Sequence, residues 1–305
     1  MCSQLIGYHR NPALTSAENA VKSFLETDEG VFCMILAQPD FSVQPTGAAP
    51  KAGDLLVCFD RGRILLDVSG DVPALPGAEH LISQPFELAH TQRVTLFSPH
   101  PFEGGETVPE TDQLRYQELS VFRTLPEETS ALITSCWHLW TWYQSHRFCG
   151  KCAHALTPVS AERALRCPSC GHLVFPVICP AVIVAITCGD HILLAKSARG
   201  NFRRFALIAG YVEVGETIEH ALRREVMEET GLALTSVRYL GDQPWGSSGS
   251  HMFAFHATAD MSAPLRIQPE ELAEVRWFHR DELQPADNTI SIAFEMIERF
   301  RKGTL

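Results

Sequence analysis

A 23-residue segment from Gly210 to Leu232 constrains the fold of this chain more than any other feature. Thr217 is a suitable N-cap, and Gly231 can end a helix in the left-handed conformation, so the pattern predicts a helix over 217–230. One face of this helix is apolar, which would anchor it to a sheet. The apolar residues are Ile218, Ala221, Leu222 and Val226.

The opposite face of the predicted helix carries Glu225, Glu228 and Glu229, at positions i, i+3 and i+4. Three carboxylates on one face repel one another unless a cation lies among them. Hard oxygen ligands select Mg²⁺ or Mn²⁺. The glutamates alone therefore leave two interpretations open, a divalent metal site and a solvated acidic helix face.

Two Cys-x-x-Cys turns, separated by 14 residues, predict a second metal site. Their cysteines are Cys149, Cys152, Cys167 and Cys170. Four thiolates complete a closed tetrahedral Zn²⁺ site, so the ion is expected to be structural, one per chain. We expect Gly150 and Gly171 to relax the tight backbone there. A redox Cys-x-x-Cys motif, a set of unligated thiols and a nucleic-acid-binding ribbon are the alternatives.

The pattern divides the chain into three parts: an N-terminal region over 1–147, the cysteine segment over 148–175 and a C-terminal domain over 176–305. From residue 180 onward, apolar strands alternate with two helices, which predicts a compact α/β sandwich. The second of these helices is expected over 289–300. In the N-terminal region we expect strands over 31–37, 55–59 and 64–68, a hairpin turn over 60–63, and an amphipathic helix over 130–146 whose tryptophans pack.

Composition narrows the classes of protein to which the chain can belong. Of its 305 residues, 45% are hydrophobic and 20% charged, and no apolar run approaches the ~20 residues that cross a bilayer. The net charge of −11 repels polyanions, so we expect a phosphate-bearing ligand to be held locally by metal or arginines. The stretch Lys196, Arg199, Arg203 and Arg204 could meet phosphate. Sparse cysteines and an acidic N-terminal segment lead us to expect a reducing, cytoplasmic location.

The segment from Gly210 to Leu232 matches the Nudix box, GX5EX7REUXEEXGU with U aliphatic, at all nine fixed positions. The chain thus resembles the Nudix hydrolases, which implies an α/β/α sandwich with a mixed sheet. By that resemblance, Glu225, Glu228 and Glu229 hold the divalent ions with help from the carbonyl of Ala209. Arg224 and Glu216 would orient these glutamates. Glu271 would be a further metal ligand or a base, with an ordinary surface glutamate as the alternative. Apart from the resemblance, Glu270 and Glu271 are the candidates to take a proton from the attacking water.

A zinc ribbon directly before the catalytic domain, after a Nudix-like N-terminal domain, resembles the NADH pyrophosphatase family. Members of that family include hydrolases that remove NAD caps from RNA. Gln243-Pro244-Trp245 and Ser250 match the family's Ser-Gln-Pro-Trp-Pro-Phe-Pro-x-Ser signature, whose residues bind substrate. Asp242 replaces the first serine, and Gly246-Ser247-Ser248 replaces Pro-Phe-Pro, which predicts a mobile loop without an aromatic ring and altered recognition of the dinucleotide.

Three further residues match substrate-binding positions of this family. Tyr211 and Phe175 correspond to aromatics that stack on a base, and Ala293 corresponds to a residue that contacts substrate through its backbone. The second aromatic comes from the partner subunit in relatives, which implies a homodimer. Core packing is the alternative for Tyr211 and Phe175.

These patterns predict metal-dependent hydrolysis of NADH or NAD⁺ to nicotinamide mononucleotide and AMP, with NAD-capped RNA as a second substrate and no membrane partner. A Nudix enzyme for another nucleoside diphosphate derivative, such as ADP-ribose, is the rival within the same class. A non-catalytic nucleotide-binding regulator is the rival from a different class, against which the intact glutamates speak.

Overall fold

The computed structural model describes residues 41–42, 46–47, 49–51, 54–67, 69–72, 85–91, 95–99, 108–199, 204–285 and 290–305. The predicted strand over 31–37 and the predicted contact at Arg203 lie outside these residues. No helix in the described ranges has both the length and the apolar character needed to span a bilayer.

Two small sheets make up the described N-terminal region. Their strands are β1 (Phe41–Ser42), β2 (Leu55–Leu56), β3 (Phe59–Asp60), β4 (Arg63–Asp67), β5 (Pro85–Thr91), β6 (Thr95–Pro99) and β7 (Leu114–Glu118). One sheet has the order β1-β5-β6-β2 and the other β3-β4-β7. Arg61 and Gly62 join β3 to β4 with φ of 47° and 84°, and two positive φ angles are typical of a two-residue hairpin turn. The predicted hairpin is confirmed.

Helix α1 (Glu127–Ser145) packs on these sheets and confirms the predicted amphipathic helix, with slightly different bounds. It follows a 3₁₀ segment, Leu119–Thr124. Trp140 and Trp142 are buried in the shared core, where they pack as expected.

The cysteine segment adds a three-stranded ribbon of β8 (Thr157–Pro158), β9 (Leu165–Arg166) and β10 (Leu173–Val174). Its core is continuous with that of the N-terminal region. Arg163 is buried and donates hydrogen bonds to the carbonyls of Glu87 (2.9 Å) and Leu88 (2.8 Å) on β5 and to the hydroxyl of Tyr143 (3.1 Å) on α1. Because a buried guanidinium is costly unless paired, these bonds hold the ribbon on the N-terminal region.

The C-terminal domain contains a mixed seven-stranded sheet with a helix on each face, which confirms the predicted α/β class. Its elements are β11 (Cys179–Cys188), β12 (His191–Ser197), β13 (Phe205–Ala206), β14 (Ile208–Tyr211), α2 (Ile218–Thr230), β15 (Ser236–Trp245), β16 (Ser250–Thr258), β17 (Leu272–His279) and α3 (Ile292–Lys302). Strands β11 and β16 are parallel, and the other pairs are antiparallel. The strand expected over 205–209 is interrupted at Leu207, because β13 pairs with β12 whereas β14 pairs with β11.

The central strand β11 is buried on both faces because its side chains alternate between two cores. Val182, Val184 and Ile186 pack with α2, while Ile183 and Ala185 pack with α3. This sandwich fixes α2, which carries the three glutamates, against one face of the sheet.

Candidate active site

Helix α2 begins and ends where the sequence predicts. The side chain of Thr217 accepts a hydrogen bond from the backbone N–H of His220 at 3.1 Å. Gly231 ends the helix with φ of 73°, the left-handed conformation that glycine adopts without strain. The two caps fix the bounds of the helix, and the packing of Ala221, Leu222 and Val226 against the sheet fixes its orientation.

Arg224 is the centre of a charged network on α2. Its guanidinium donates two hydrogen bonds to the carboxylate of Glu216 (2.7 and 2.9 Å) and single bonds to Glu225 (2.9 Å) and Glu228 (3.0 Å). A further N–H bonds the carbonyl of Tyr211 at 3.0 Å, which ties the helix to β14. The bidentate bond from Arg224 holds the pKa of Glu216 down to about 2.

Glu229 differs from its neighbours because it is buried and lacks such a partner. Within the described ranges, no donor or cation contacts its carboxylate. Burial, together with the charges of Glu225, Glu271 and Glu228, raises its pKa to about 7. A buried carboxylate surrounded by other carboxylates is the donor set that a hard divalent cation requires, so these residues fit Mg²⁺ or Mn²⁺.

The glutamate carboxylates do not converge as closely as the cysteine thiols do. In the part of the chain that the structure describes, the four cysteines are the only group of three or more such side chains whose ligand atoms lie within 4.8 Å of one another. Glu225 and Glu228 instead bond Arg224, and mutual repulsion keeps the carboxylates apart.

Gly210 on β14 allows Glu225 to approach the sheet. A Cβ at this position would overlap the carboxyl group of Glu225. Only glycine therefore leaves room for this carboxylate beside the exposed Ala209.

Glu271 comes to the site from the other end of the domain, at the loop before β17. Its charge raises the pKa of both Glu225 and Glu229, and its carboxylate lies 3.3 Å from Arg199. Glu270, the other candidate, accepts a hydrogen bond from Arg199 through its backbone carbonyl (2.9 Å). The structure thus brings Glu271 together with the α2 glutamates.

The cysteine ribbon has the geometry of a metal site. The sulfurs of Cys149 and Cys170 are 3.7 Å apart, and Cys152 lies 3.4 Å from both Cys167 and Cys170. Sulfurs bound to one tetrahedral Zn²⁺ at about 2.3 Å are about 3.8 Å apart. The backbone N–H of Cys170 lowers the pKa of Cys167, which favours the thiolate that binds metal.

The two cysteine turns have matching backbones, and here one expectation is wrong. The N–H groups of Ala153 and Gly171 bond the carbonyls of Cys149 (2.8 Å) and Cys167 (3.0 Å), and both residues have positive φ (62° and 70°). The residue that follows each Cys-x-x-Cys turn is therefore the one in the left-handed conformation. In the first turn this residue is Ala153. Gly150 does not have positive φ and has open space around it, so it relaxes nothing.

The Gly246–Gly249 turn between β15 and β16 packs against helix α1. A Cβ at Gly246 would overlap the carbonyl oxygen of Thr134, and one at Gly249 would lie 3.2 Å from His138. Within the turn, the N–H of Gly249 bonds the carbonyl of Gly246 (3.3 Å). The expected mobile loop is therefore a turn held against α1, and glycine is needed because the helix backbone passes so close.

The signature residues that flank this turn form one wall of a cavity of about 180 Å³. The side chain of Gln243 donates to the carbonyl of Ile290 (2.7 Å) and accepts from the N–H of Ile292 (2.8 Å), which positions the start of α3. Trp245 and Ala293 also line the cavity. Pro244 is exposed, whereas Ser250 is buried and bonds Ser248.

Comparison with known proteins identifies the domains. A family model described as "NUDIX domain" matches residues 178–300, and one described as "NADH pyrophosphatase zinc ribbon domain" matches residues 144–175. The NAD-capped RNA hydrolase NudC of Pasteurella multocida is 40% identical over 193 residues, which cover 61% of this chain and 72% of that protein. The chain belongs to the Nudix hydrolase family.

Other relatives of this Nudix hydrolase match comparable shares of the chain. The NudC of Haemophilus influenzae (strain PittGG), also named as an NAD-capped RNA hydrolase, is 38% identical over 179 residues, covering 58% of this chain and 67% of that protein. A crystal structure of a NUDIX hydrolase from Nitrosomonas europaea aligns with a TM-score of 0.43 and 21% identity, covering 51% of this chain and 90% of that one.

Both aromatics expected to stack on a base are on the surface of this Nudix hydrolase. Tyr211 is 53% exposed and Phe175 51% exposed, so core packing is excluded for both. Lys196, in the basic stretch, lies over the ring of Phe205 instead of joining Arg199.

Sequence reasoning missed the residues that complete the cavity of this Nudix hydrolase. Ile183 and Met252 look like ordinary strand residues, and Arg123 lies in the N-terminal region, more than a hundred residues before Trp245. No spacing rule joins positions so far apart. Asp242, where the family has serine, bonds His251 (2.6 Å) and Tyr239.

Proposed function

We propose that this Nudix hydrolase cleaves the diphosphate of NADH or NAD⁺ to nicotinamide mononucleotide and AMP, in a reaction that depends on Mg²⁺ or Mn²⁺. The observation that carries the proposal is the buried Glu229, whose carboxylate is close enough to Glu225 and Glu271 for their charges to raise its pKa. Relatives named NAD-capped RNA hydrolases support the choice of dinucleotide.

The divalent ions would be held by Glu225, Glu228, Glu229 and Glu271, with the carbonyl of Ala209. Bound there, such ions neutralise a diphosphate, activate a water molecule and stabilise the leaving oxygen. Arg224 holds Glu225 and Glu228 in position through its hydrogen bonds, and Glu216 fixes Arg224 in turn. These hydrogen bonds limit how far the carboxylates can move, so that an ion would draw them together over a short distance.

Glu271 is also the candidate to take a proton from the attacking water. It lies on a loop, contacts only one arginine side chain among the described residues, and remains partly exposed. A carboxylate so placed can accept a proton when a substrate is bound. No side chain would need to form a covalent intermediate, because water activated by an ion held at these residues could attack phosphorus directly.

We propose that the ribbon binds one structural Zn²⁺ per chain through Cys149, Cys152, Cys167 and Cys170. Four protein ligands leave no open coordination position, so the ion takes no part in hydrolysis. Its role is to stabilise the ribbon, whose core is continuous with that of the N-terminal region.

An exposed apolar patch supports a homodimer. It surrounds the start of β11, where Ala181 pairs with Tyr211 and the carbonyl of Pro180 accepts a bond from Val212. The patch consists of Phe175, Val177, Ile178, Tyr211 and Val214, each at least half exposed. Exposed apolar patches mark interaction sites, so we propose that a second copy covers this one and brings its Phe175 toward Tyr211.

We propose NAD-capped RNA as a second substrate. Because Tyr211 is exposed, the NAD end of a longer RNA molecule can reach the site. We further propose that the protein acts in the cytoplasm.

A substrate panel tests the proposed function. The purified full-length protein is incubated with Mg²⁺ or Mn²⁺ and NADH, NAD⁺, ADP-ribose or NAD-capped RNA, and the products are separated by chromatography. We expect nicotinamide mononucleotide and AMP from NADH and NAD⁺. Faster turnover of ADP-ribose would assign another substrate, and binding without turnover would indicate a regulator.

A further inference from the structure

The cavity beside the β15–β16 hairpin is the size of a single ring system. Its volume is about 180 Å³, whereas an engineered apolar cavity of about 150 Å³ holds benzene. Most of its lining is apolar and comes from β11, β16 and α3, namely Ile183, Met252, Ala293, Phe294 and Ile297. An apolar cavity of this size suits a flat heteroaromatic base.

Among the described residues, one charged side chain lines this cavity, and it comes from the N-terminal region. The guanidinium of Arg123 lies 5.5 Å from the ring centre of Trp245 and 5.1 Å from that of Phe122. Trp245 itself packs edge-on against Phe122 at 5.7 Å. The cavity is therefore composite, since the 3₁₀ segment before α1 supplies Arg123 to its lining.

The guanidinium of Arg123 has N–H groups that can donate hydrogen bonds to a ligand. Throughout the ranges that the structure describes, no carboxylate or carbonyl bonds its guanidinium, although the side chain is partly buried. A partly desolvated cation without an acceptor is unfavourable, and a ligand with hydrogen-bond acceptors would offset that cost. Stacking on aromatic faces leaves the N–H groups of an arginine free to bond.

We propose that Arg123 is a specificity-determining residue, which donates hydrogen bonds to the acceptor nitrogens of an adenine ring bound in this cavity. This inference rests on the proposed function, because it takes the substrate to be a dinucleotide. Adenine is neutral and carries acceptors, whereas the oxidised nicotinamide ring is positively charged and would be repelled by the guanidinium. The second ring would then lie at Tyr211.

The spacing between the cavity and the glutamates agrees with this arrangement. Ala206 lines the cavity, and Gly210, four residues further along, contacts Glu225. Because the strand is interrupted at Leu207, these four residues span at most about 13 Å, a distance that a ribose between the base and the diphosphate could cover.

Binding of the two product nucleotides tests the role of Arg123 separately from catalysis. AMP and oxidised nicotinamide mononucleotide are titrated by calorimetry into the full-length protein and its Arg123→Ala and Arg123→Lys variants. We expect AMP to bind at least about tenfold more weakly to Arg123→Ala, equivalent to about 1.4 kcal/mol, with partial recovery in Arg123→Lys. The affinity for oxidised nicotinamide mononucleotide should not change. Arg115→Ala, at an exposed arginine of the same region, is the matched control.

A variant that fills the cavity distinguishes a direct role of Arg123 in binding from an indirect effect of its substitution on folding. Ile297→Phe should weaken AMP binding by itself and make the further loss from Arg123→Ala smaller, because both act at one site. Melting temperatures of all variants are measured alongside.

Three outcomes would overturn the proposal. AMP affinity could be equal in the native protein and Arg123→Ala, the native protein could fail to bind AMP, or both nucleotides could lose affinity equally, which would indicate a phosphate contact. The proposed function fails differently, by absence of NADH turnover in the native protein.

Discussion

Gly210 and Glu225 are in such close contact that the glycine has no space for a side chain, since a Cβ would overlap the carboxyl group of Glu225. This contact between strand β14 and helix α2 sets where the Glu225 carboxyl group can lie. It gives a steric reason for the first glycine of the Nudix box.

Gly210→Ala should therefore displace Glu225 and lower kcat at least about 100-fold with NADH, because small misplacement of a catalytic group is costly. The zinc content and the far-UV circular dichroism spectrum should stay native. Gly150→Ala, at a glycine with open space around it, is the control and should keep native activity. Native kcat in Gly210→Ala would show that Glu225 can move without loss.

Glu229→Gln should abolish hydrolysis and yet stabilise the metal-free protein at pH 8. The folded-state pKa of Glu229 is raised from 4.5 to about 7, so the fold disfavours its ionised form. Stability from this group thus falls as pH rises from about 4.5 through 7, and glutamine removes that cost. We expect a gain on the order of 1–3 kcal/mol in urea unfolding at pH 8, shrinking toward pH 5.

Glu219→Gln is the control for this change, since Glu219 is exposed on the same helix and bonds Arg223. It should alter neither activity nor the pH dependence of unfolding. Substantial residual hydrolysis in Glu229→Gln would contradict the assignment of Glu229 as a metal ligand.

Cys167→Ser should remove zinc and destabilise the N-terminal region together with the ribbon, because the two share one core. We expect the zinc content, measured by plasma mass spectrometry, to fall close to zero and the melting temperature to drop by at least about 5 °C. Cys188→Ser, outside the ribbon, should keep its zinc. A zinc-free variant with native thermal stability would count against a structural ion.

Gly246→Ala should force helix α1 away from the β15–β16 turn, because the new Cβ would overlap the carbonyl of Thr134. Overpacking of this kind costs about 1–3 kcal/mol, measurable by urea unfolding. Ser247→Ala, in the same turn, should have little effect. Equal stability of Gly246→Ala and Ser247→Ala would mean that the turn can accommodate the added Cβ without a loss of folding free energy.

Ile178→Asp should convert a dimer to a monomer, since it buries a charge at the centre of the exposed apolar patch. Sedimentation velocity of the native protein and the variant measures this. Met261→Asp, at an exposed apolar residue outside the patch, should leave the assembly unchanged. A native protein that sediments as a monomer would refute the proposed homodimer.

The sequence predicted the elements whose signals are local. Thr217 and Gly231 frame α2 because capping depends on neighbouring backbone groups, and the hairpin at Arg61-Gly62 follows from turn chemistry. The cysteine spacing likewise predicted four thiols in one small volume.

Expectations failed where distant segments meet. Gly246 suggested mobility in the sequence, yet it lies against Thr134, a residue of another region. The backbone strain in the first cysteine turn is at Ala153 and not at Gly150, because the hydrogen bond that closes the turn comes from the residue after it.

By itself, the sequence determined the glutamate face of α2, the thiol cluster and the α/β alternation, because these depend on helical and strand periodicity along the chain. Only the tertiary structure decided that Glu271 joins Glu229, that Gly210 admits Glu225, and that Arg123 completes a cavity with Trp245. Those contacts join residues far apart in sequence, and close packing of the folded chain, which no local pattern encodes, brings them together.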